Sequence, residues 1–90
     1  MPTNFIKSEH VSCQTSDKGK GFLFDHGSGY VYLLNKTGCY IFTLLQEGAS
    51  IEEIIARVSK KFNIDSSVIS EDVQNFLSEV EKMKLVVCHD

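Results

Sequence analysis

The stretch from Gly21 to Leu45, GFLFDHGSGYVYLLNKTGCYIFTLL, constrains the fold of this chain more than any other part of the sequence. Two short apolar runs flank the glycine loop His26–Gly29, and a loop of this length between strand-like runs predicts a β-hairpin. Asn35 is a favourable N-cap, and Gly38 near the helix start indicates that the helix backbone approaches the sheet closely. The sequence therefore predicts a hairpin followed at once by a helix, on which the remaining elements pack.

A further strand precedes this hairpin. His10–Thr15 alternates weakly between apolar and polar residues, and the turn signal Ser16–Gly21 follows it. With the runs Phe22–Asp25 and Tyr30–Leu34, it makes three strands joined by short loops, which is typical of an antiparallel meander. Tyr30–Leu34 is the last strand of the meander, so we expect it at the edge of the sheet.

Two amphipathic helices are predicted after the first one. Ser50 and Glu53 form a capping box, and apolar residues then recur at helical spacing: Ile51, Ile54, Ile55, Val58 and Phe62. After a break at Asn63–Ser66, a third helix carries Ile69, Val73, Phe76, Leu77, Val80 and Met83 on one side. We expect the tail Leu85–Val87 to close the core. Three strands followed by three helices predict an α+β fold with the helices on one face of a three-stranded antiparallel sheet.

Length and composition indicate one small globular domain. The 90 residues predict a single domain over 1–90, with residues 1–8 as a flexible or loosely packed arm. No apolar run is long enough to span a membrane, and the N-terminus lacks the apolar segment of a secretory signal, so we expect a cytoplasmic protein. A net charge of −3 argues against nucleic-acid binding by bulk electrostatics. Three cysteines without a CxxC pair predict reduced thiols.

The sequence offers little for catalysis or for a metal. Recognised hydrolase, metalloprotease and nucleotide-binding motifs are absent from it. Asp25 and His26 fall at an exposed hairpin tip, whereas acid–base groups are usually held in a tuned pocket. Cys88 and His89 are zinc-ligand types, as are His10 and Cys13, but neighbouring residues of a strand splay apart. We therefore expect no catalytic residue, no metal site and no cofactor.

The last predicted strand has apolar residues on both faces. Tyr30, Tyr32 and Leu34 point to one side, and Val31 and Leu33 point to the other. Only one face can lie on the helices of so small a chain, and the strand lacks the charges that usually protect an edge. This pattern favours β-augmentation, in which an extended peptide adds as a further strand. The alternative is that loops, the N-terminal arm or a second copy of the chain cover this face.

The third helix is predicted to form the other wall of a groove beside this edge. Four of its apolar residues are candidates for that wall, although we expect at least half of them to lie in the core. The predicted peptide-binding residues are Tyr30, Val31, Tyr32, Leu33, Leu34, Val73, Phe76, Leu77 and Val80.

Three segments together resemble the PqqD family in their order and spacing. They are the run YVYLLNKTGCYIFTLL, the helix opening SIEEII, and EDVQNFLSEVEKMKLV. The resemblance covers about Gly21 to Val87, most of the chain. One departure is Lys84, because the family often has Gly before the terminal Leu pair, so we expect the third helix to end differently here.

The resemblance implies a RiPP recognition element with a winged-helix-like fold of three strands and three helices. Such domains are not enzymes. They bind the leader segment of a ribosomally synthesised precursor peptide, typically as a strand added beside the third strand and against the third helix. They present it to a modifying enzyme, which is a radical SAM enzyme, a cyclase or a leader peptidase. Carried onto this chain, the resemblance implies that the leader binds between Tyr30–Leu34 and the third-helix residues Val73, Phe76, Leu77 and Val80.

Two other functions are compatible with this fold class. A winged-helix nucleic-acid-binding regulator needs a basic recognition helix. The end of the chain instead carries the acidic residues Glu71, Asp72, Glu79 and Glu81 against the basic residues Lys82 and Lys84. A small domain that forms a homodimer through its edge strand is the other alternative.

Overall fold

The computed structural model describes residues 4–16 and 19–89. Its elements in chain order are β1 (Asn4–Lys7), β2 (Val11–Thr15), β3 (Gly21–Asp25), β4 (Val31–Leu34), α1 (Lys36–Gln46), α2 (Ile51–Phe62), α3 (Ser66–Lys82) and β5 (Val86–His89). The first three predicted strands correspond to β2, β3 and β4, with boundaries that agree to within one residue. The α+β class is confirmed.

Strands β2, β3 and β4 form one antiparallel sheet in that order. Phe22 pairs with both Gln14 and Leu33, so β3 is the central strand. In the β2–β3 connection, residues 17 and 18 of the predicted turn lie outside the described residues. The predicted meander is confirmed, and β4 is one of its two edges.

A second, two-stranded sheet joins the two ends of the chain. Strand β1 pairs antiparallel with β5, with Phe5 opposite Cys88. Phe5 is buried, and the N–H of Ser8 donates a hydrogen bond to the C=O of Leu85 at 3.0 Å. We expected a loosely packed arm over residues 1–8, but its described part is a paired strand. The physical reason is long-range: the partner of this short run is at the opposite end of the chain, so no local pattern predicts the pairing.

Each helix begins at a polar cap. The side chain of Asn35 accepts a hydrogen bond from the N–H of Gly38 at 2.8 Å, which ends β4 and starts α1 within one residue. Ser50 Oγ accepts from the N–H of Glu53 at 3.2 Å, as the capping box predicts. Asp65 caps α3 in the same manner.

The third helix ends in a left-handed residue. Lys84 has a φ of 62°, a conformation that glycine adopts without steric penalty and other residues adopt rarely. The N–H of Leu85 donates to the C=O of Val80 at 2.9 Å and closes the helix end. This is the position at which the family resemblance described above implies Gly. The chain therefore keeps a glycine-like backbone there with a lysine side chain.

The core lies between one face of the three-stranded sheet and the three helices. Leu23 comes from the central strand, Phe42 from α1, Val58 from α2 and Leu77 from α3, and all four are fully buried. Burying side chains of this kind contributes roughly 1.5–3 kcal/mol each. Leu85 and Val86 of the predicted tail close the core, whereas Val87 is 52% exposed. Among the described residues, the structure contains no helix with the length and apolarity needed to cross a membrane.

Candidate functional site

The two faces of β4 differ sharply in exposure. Leu34 is buried and Tyr32 is half-buried, because both side chains point towards the helices. Val31 and Leu33 point the other way and are 54% and 85% exposed. A leucine left this exposed forgoes most of the roughly 1.5–3 kcal/mol that its burial would contribute. The outer face of β4 is therefore an exposed apolar surface.

The backbone groups of β4 alternate between the sheet and the free edge. The N–H of Asp25 donates to the C=O of Tyr30 at 2.9 Å, which fixes the phase of the ladder. Because hydrogen-bonded and non-hydrogen-bonded pairs alternate in an antiparallel ladder, the even-numbered residues of β4 bond to β3. The N–H and C=O groups of Val31 and Leu33 consequently point outward. Within the described part of the chain, no strand pairs with this edge.

The turn before β4 is held by the carboxylate of Asp25. Its Oδ1 accepts hydrogen bonds from the N–H of Gly27 at 2.8 Å and of Ser28 at 3.3 Å. Gly29 takes a φ of +81°, which closes the hairpin. Burial opposes the ionisation of Asp25, but these two amides, with His10 Nε2 at 3.8 Å, outweigh it and lower the pKa of the carboxyl group. Asp25 therefore serves as a turn-forming anion.

A groove of about 560 Å³ runs between β4 and α3. Phe76 stands at the Leu34 end, since one of its ring carbons lies 3.4 Å from the position that a Cβ on Gly38 would take. The lack of a side chain at Gly38 therefore leaves room for both Leu34 and Phe76. The lining residues are Leu23, Val31, Tyr32, Leu33, Leu34, Asn35, Gly38, Phe76, Glu79, Val80, Met83 and Leu85.

The structure brings six of the nine predicted site residues to this groove: Val31, Tyr32, Leu33, Leu34, Phe76 and Val80. Tyr30 is 64% exposed in the turn and stacks edge-to-face on Tyr32 with ring centroids 6.4 Å apart. Val73 and Leu77 are fully buried in the core and do not line the groove. Half of the four α3 candidates are therefore core residues, as expected, because only part of the wide apolar stripe of α3 faces β4.

Two groove residues on α3 were not predicted. Glu79 and Met83 follow Phe76 by three and seven residues, which is the spacing of one helical face. That spacing is the signal that would have found them. Met83 is 40% exposed, and the flexible thioether of methionine adapts readily to different ligands. The wall is thus a stripe that begins at Phe76 and continues to the end of α3.

The other reactive side chains have structural partners or raised pKa values. His26 Nε2 lies 2.6 Å from Ser12 Oγ, and its ring packs edge-on against Phe24. Burial raises the pKa of the thiols of Cys13 and Cys39, so neither has the lowered pKa of a reactive thiolate.

The four residues considered as zinc ligands are only partly described, because the side chains of Cys88 and His89 lie outside the described part. Across the described side chains, no three His, Cys, Asp or Glu residues come together in a group that could hold a metal ion.

The exposed face of α3 does not fit a recognition helix for nucleic acid. Glu71, Asp72, Glu79 and Glu81 are all exposed, and Glu79 lines the groove. Acidic side chains repel the phosphate backbone, and affinity for nucleic acid depends on its neutralisation by Lys and Arg. The charge on this face therefore argues against nucleic acid as its ligand.

A family model matches most of the chain. The model described as "Coenzyme PQQ synthesis protein D (PqqD)" matches residues 20–86. The matched segment begins just before β3 and ends at the start of β5, so it contains the hairpin, all three helices and both walls of the groove. No curated protein matches the chain.

Two solved structures share the fold over nearly the whole chain. One is TbiB1 in complex with the TbiA(beta) leader peptide, which is 25% identical, with a TM-score of 0.82 over 89% of this chain and 92% of that chain. The other is a lasso peptide synthetase B1 complexed with the leader peptide, which is 18% identical, with a TM-score of 0.83 over 93% and 98% of the two chains. At that identity, the second likeness supports the fold alone.

Proposed function

The chain belongs to the PqqD family, and from this premise we propose that it is a leader-binding adaptor of ribosomal peptide biosynthesis. It binds the leader segment of a precursor peptide as an added strand on β4 and presents that precursor to a modifying enzyme. The observation that carries the proposal is the bare edge of β4, where Val31 and Leu33 direct their backbone groups outward beside an apolar groove. The structural likeness to TbiB1, solved with a leader peptide, supports the same role.

Backbone pairing supplies affinity that does not depend on the leader sequence. The two N–H and two C=O groups of Val31 and Leu33 accommodate up to four hydrogen bonds from an extended peptide. Each contributes about 0.5–1.5 kcal/mol net. Because side chains alternate along a strand, every second residue of the peptide faces Phe76, Val80 and Met83. The groove therefore supplies the selectivity for apolar leader residues.

The partner of this adaptor is an enzyme that acts on the rest of the precursor. A binding role needs no catalytic group, and the described side chains include no cluster of His, Cys, Asp or Glu that could hold a metal ion. A radical SAM enzyme, a cyclase and a leader peptidase are the proposed classes of partner. We place the complex in the cytoplasm, where ribosomes produce the precursor.

Amide hydrogen exchange tests the site directly. The ligand is the leader of a short precursor encoded beside the gene for this chain, prepared as a synthetic peptide. We expect saturating peptide to slow exchange at the amides of Val31 and Leu33. The amides of Tyr32 and Leu34 already bond to β3 and change little. Measurable binding with unaltered exchange at Val31 and Leu33 would show that the leader binds elsewhere.

Matched substitutions test the same site by affinity. Leu33→Asp places a charge beside the added strand and is expected to weaken binding at least tenfold, which corresponds to about 1.4 kcal/mol. Val68→Asp is the control, because Val68 is 59% exposed on α3 and lines none of the cavities beside β4. Phe76→Glu is expected to act like Leu33→Asp, provided that its melting curve remains cooperative. Equal losses for Leu33→Asp and Val68→Asp would contradict the assignment.

A second copy of the chain is the alternative occupant of the same edge. Light scattering without peptide distinguishes the two occupants. A monomer whose β4 amides become protected only with peptide supports the adaptor, whereas a dimer with β4 protected in the absence of peptide supports self-pairing.

A further inference from the structure

The apolar groove continues past the C-terminal end of β4 into a second cavity. This cavity has a volume of about 700 Å³ and shares Leu33, Leu34 and Asn35 with the groove. Its remaining lining residues are Lys20, Gly21, Lys36 and Thr37. A peptide strand that extends beyond β4 in this direction enters a space with two lysines, which the apolar groove itself lacks.

The exposed side chain of Lys36 passes close to Gly19 of the β2–β3 connection. Three of its side-chain carbons lie 3.0–3.6 Å from the position that a Cβ on Gly19 would occupy. Gly19 has a φ of +77°, so both its conformation and the missing side chain suit this close approach. The aliphatic stem of Lys36 therefore runs beside Gly19, between this cavity and a separate hollow that Lys36 and Gly19 line with Cys39 and Tyr40.

Lys36 is also in an electrostatically unfavourable position for the fold. It is the first residue of α1, where the helix dipole favours anions and disfavours cations. Helix α2, in contrast, has Glu52 and Glu53 in its first turn. A lysine at the start of α1 thus gains no stabilisation from the dipole of its own helix.

The two lysines have no acidic partner in the described structure. The ion pairs within 4.0 Å there join His10 to Asp25 and Arg57 to Glu53. Elsewhere the chain is acidic, with a net charge of −3 and a carboxylate, Glu79, in the groove wall. The cavity therefore carries positive charge at one end of the groove, although the chain as a whole is acidic. An anionic group of the bound peptide complements this charge.

We propose that this lysine-lined cavity is a subsite for an acidic side chain of the bound peptide. The inference rests on the proposed leader-binding function and adds a chemical class to it: the leader carries Asp or Glu immediately beyond the segment that pairs with β4. The carboxylate contacts Lys36 and Lys20, while the apolar residues of the same peptide occupy the groove. The ion pair fixes how far the leader extends past Leu34, and hence the register in which the strand docks.

Selection from a random library tests the proposal without knowledge of the natural leader. Displayed peptides of 15 fully randomised residues are selected on the wild-type chain, on Lys36→Glu and on Lys20→Glu. We expect wild-type binders to share Asp or Glu at one position flanking an apolar motif. Lys36→Glu is expected to lose this enrichment and to favour Lys or Arg there. A glutamate in the first turn suits the helix dipole, so this variant should fold at least as stably as the wild type.

The matched control is Lys60→Glu, which changes the charge equally on an exposed residue of α2 that lines neither cavity. It is expected to leave the acidic enrichment intact. One wild-type binder is then remade with Asn or Gln in place of its acidic residue. Its affinity should fall about threefold for the wild type, the size of an exposed ion pair, and not at all for Lys36→Glu. The difference should shrink at high salt.

The outcomes separate the two levels of the proposal. Binders that protect the amides of Val31 and Leu33 but show no acidic preference overturn the subsite and leave the adaptor function standing. An acidic preference that survives in both Lys36→Glu and Lys20→Glu also overturns the subsite. Binders that leave the β4 amides unprotected overturn the adaptor function, and the subsite fails with it.

Discussion

The two edges of the three-stranded sheet differ in how the rest of the chain covers their outward-facing backbone groups. At the β2 edge, the N–H of His26 donates to the C=O of His10 at 2.8 Å, which fixes the phase of the ladder. The backbone N–H and C=O groups of the odd-numbered residues of β2 therefore point away from β3, towards the edge of the sheet. In the first of these residues, Val11, both backbone groups are hydrogen-bonded. Its N–H donates to the C=O of Ser8 at 3.1 Å, and its C=O accepts from Lys7 Nζ at 2.6 Å. At the β4 edge, the corresponding groups of Val31 and Leu33 point to open space.

The side chains follow the same division. The outer face of β2 carries Ser12 and Gln14, whereas that of β4 carries the exposed apolar residues Val31 and Leu33. A lysine beside the strand and a polar outer face are common devices against edge-to-edge pairing. The chain uses both at β2, whereas at β4 the outer face is apolar and the lysines, Lys20 and Lys36, lie only beside its C-terminal end. The comparison teaches that the bare edge is a local property of β4, consistent with a strand that receives a ligand.

The largest expected effect comes from Leu33→Pro. The N–H of Leu33 points outward, so proline at this position removes no hydrogen bond of the sheet. It does remove a donor to the added strand, and its ring blocks the approach of that strand. We expect a melting temperature close to that of the wild type and a loss of leader affinity of more than tenfold, measured by calorimetry.

Thr15→Pro is the matched substitution on the opposite edge. Thr15 is exposed and, like Leu33, has its N–H on the outer side of an edge strand. It should leave leader affinity unchanged. Similar losses of affinity at the two edges would mean that the difference between them has no bearing on binding.

Local signals were enough to predict the sheet, the caps and the edge strand. The Asn35 cap, the Ser50 capping box and the alternation of β4 each depend on residues within one turn or one strand. The exposure of Val31 and Leu33 also follows from the alternation of side chains along the strand. A strand with two apolar faces can bury only one of them in so small a domain. These features could therefore be predicted from the sequence without knowledge of the tertiary packing.

The remaining features depend on contacts between distant segments. The pairing of β1 with β5 joins the chain ends, and the bond from Lys7 to Val11 depends on where that pairing places β1. The division of the α3 stripe depends on the angle at which the helix crosses the sheet. Helical spacing identifies Val73 and Phe76 equally as apolar, but only packing decides that the first is core and the second is groove wall.

A smaller effect is expected from removing the lysine that occupies the β2 edge. Lys7→Met keeps an unbranched apolar stem but loses the hydrogen bond to the C=O of Val11. We expect the free energy of unfolding to fall by about 1 kcal/mol, measured by urea denaturation. Leader affinity should stay within twofold of the wild type, because β4 is untouched. A large loss of affinity in this variant would show that the two edges are coupled.

The smallest effect on stability is expected from acidification. It should arise at Asp25, at the end of the sheet where β2 and β4 both begin. The pKa of Asp25 is lowered in the folded chain, so its charge stabilises the fold at pH values above the ordinary aspartate pKa of about 3.9. That contribution is lost as the pH falls through the lowered pKa. We expect the melting temperature to drop over this range, with faster amide exchange at Gly27 and Ser28, the two donors to the carboxylate.

Asp25→Asn separates the charge of this side chain from its turn geometry. The amide oxygen of asparagine still accepts from the N–H groups of Gly27 and Ser28, but the group no longer titrates. The variant should therefore be less stable than the wild type at neutral pH and lose less stability on acidification. Because the same turn leads into β4, the acid-induced change should reach the β4 edge before the β2 edge, where Lys7 and Ser8 provide additional hydrogen bonds to Val11. Simultaneous exposure of both edges in exchange measurements at low pH would show that the sheet opens as one unit.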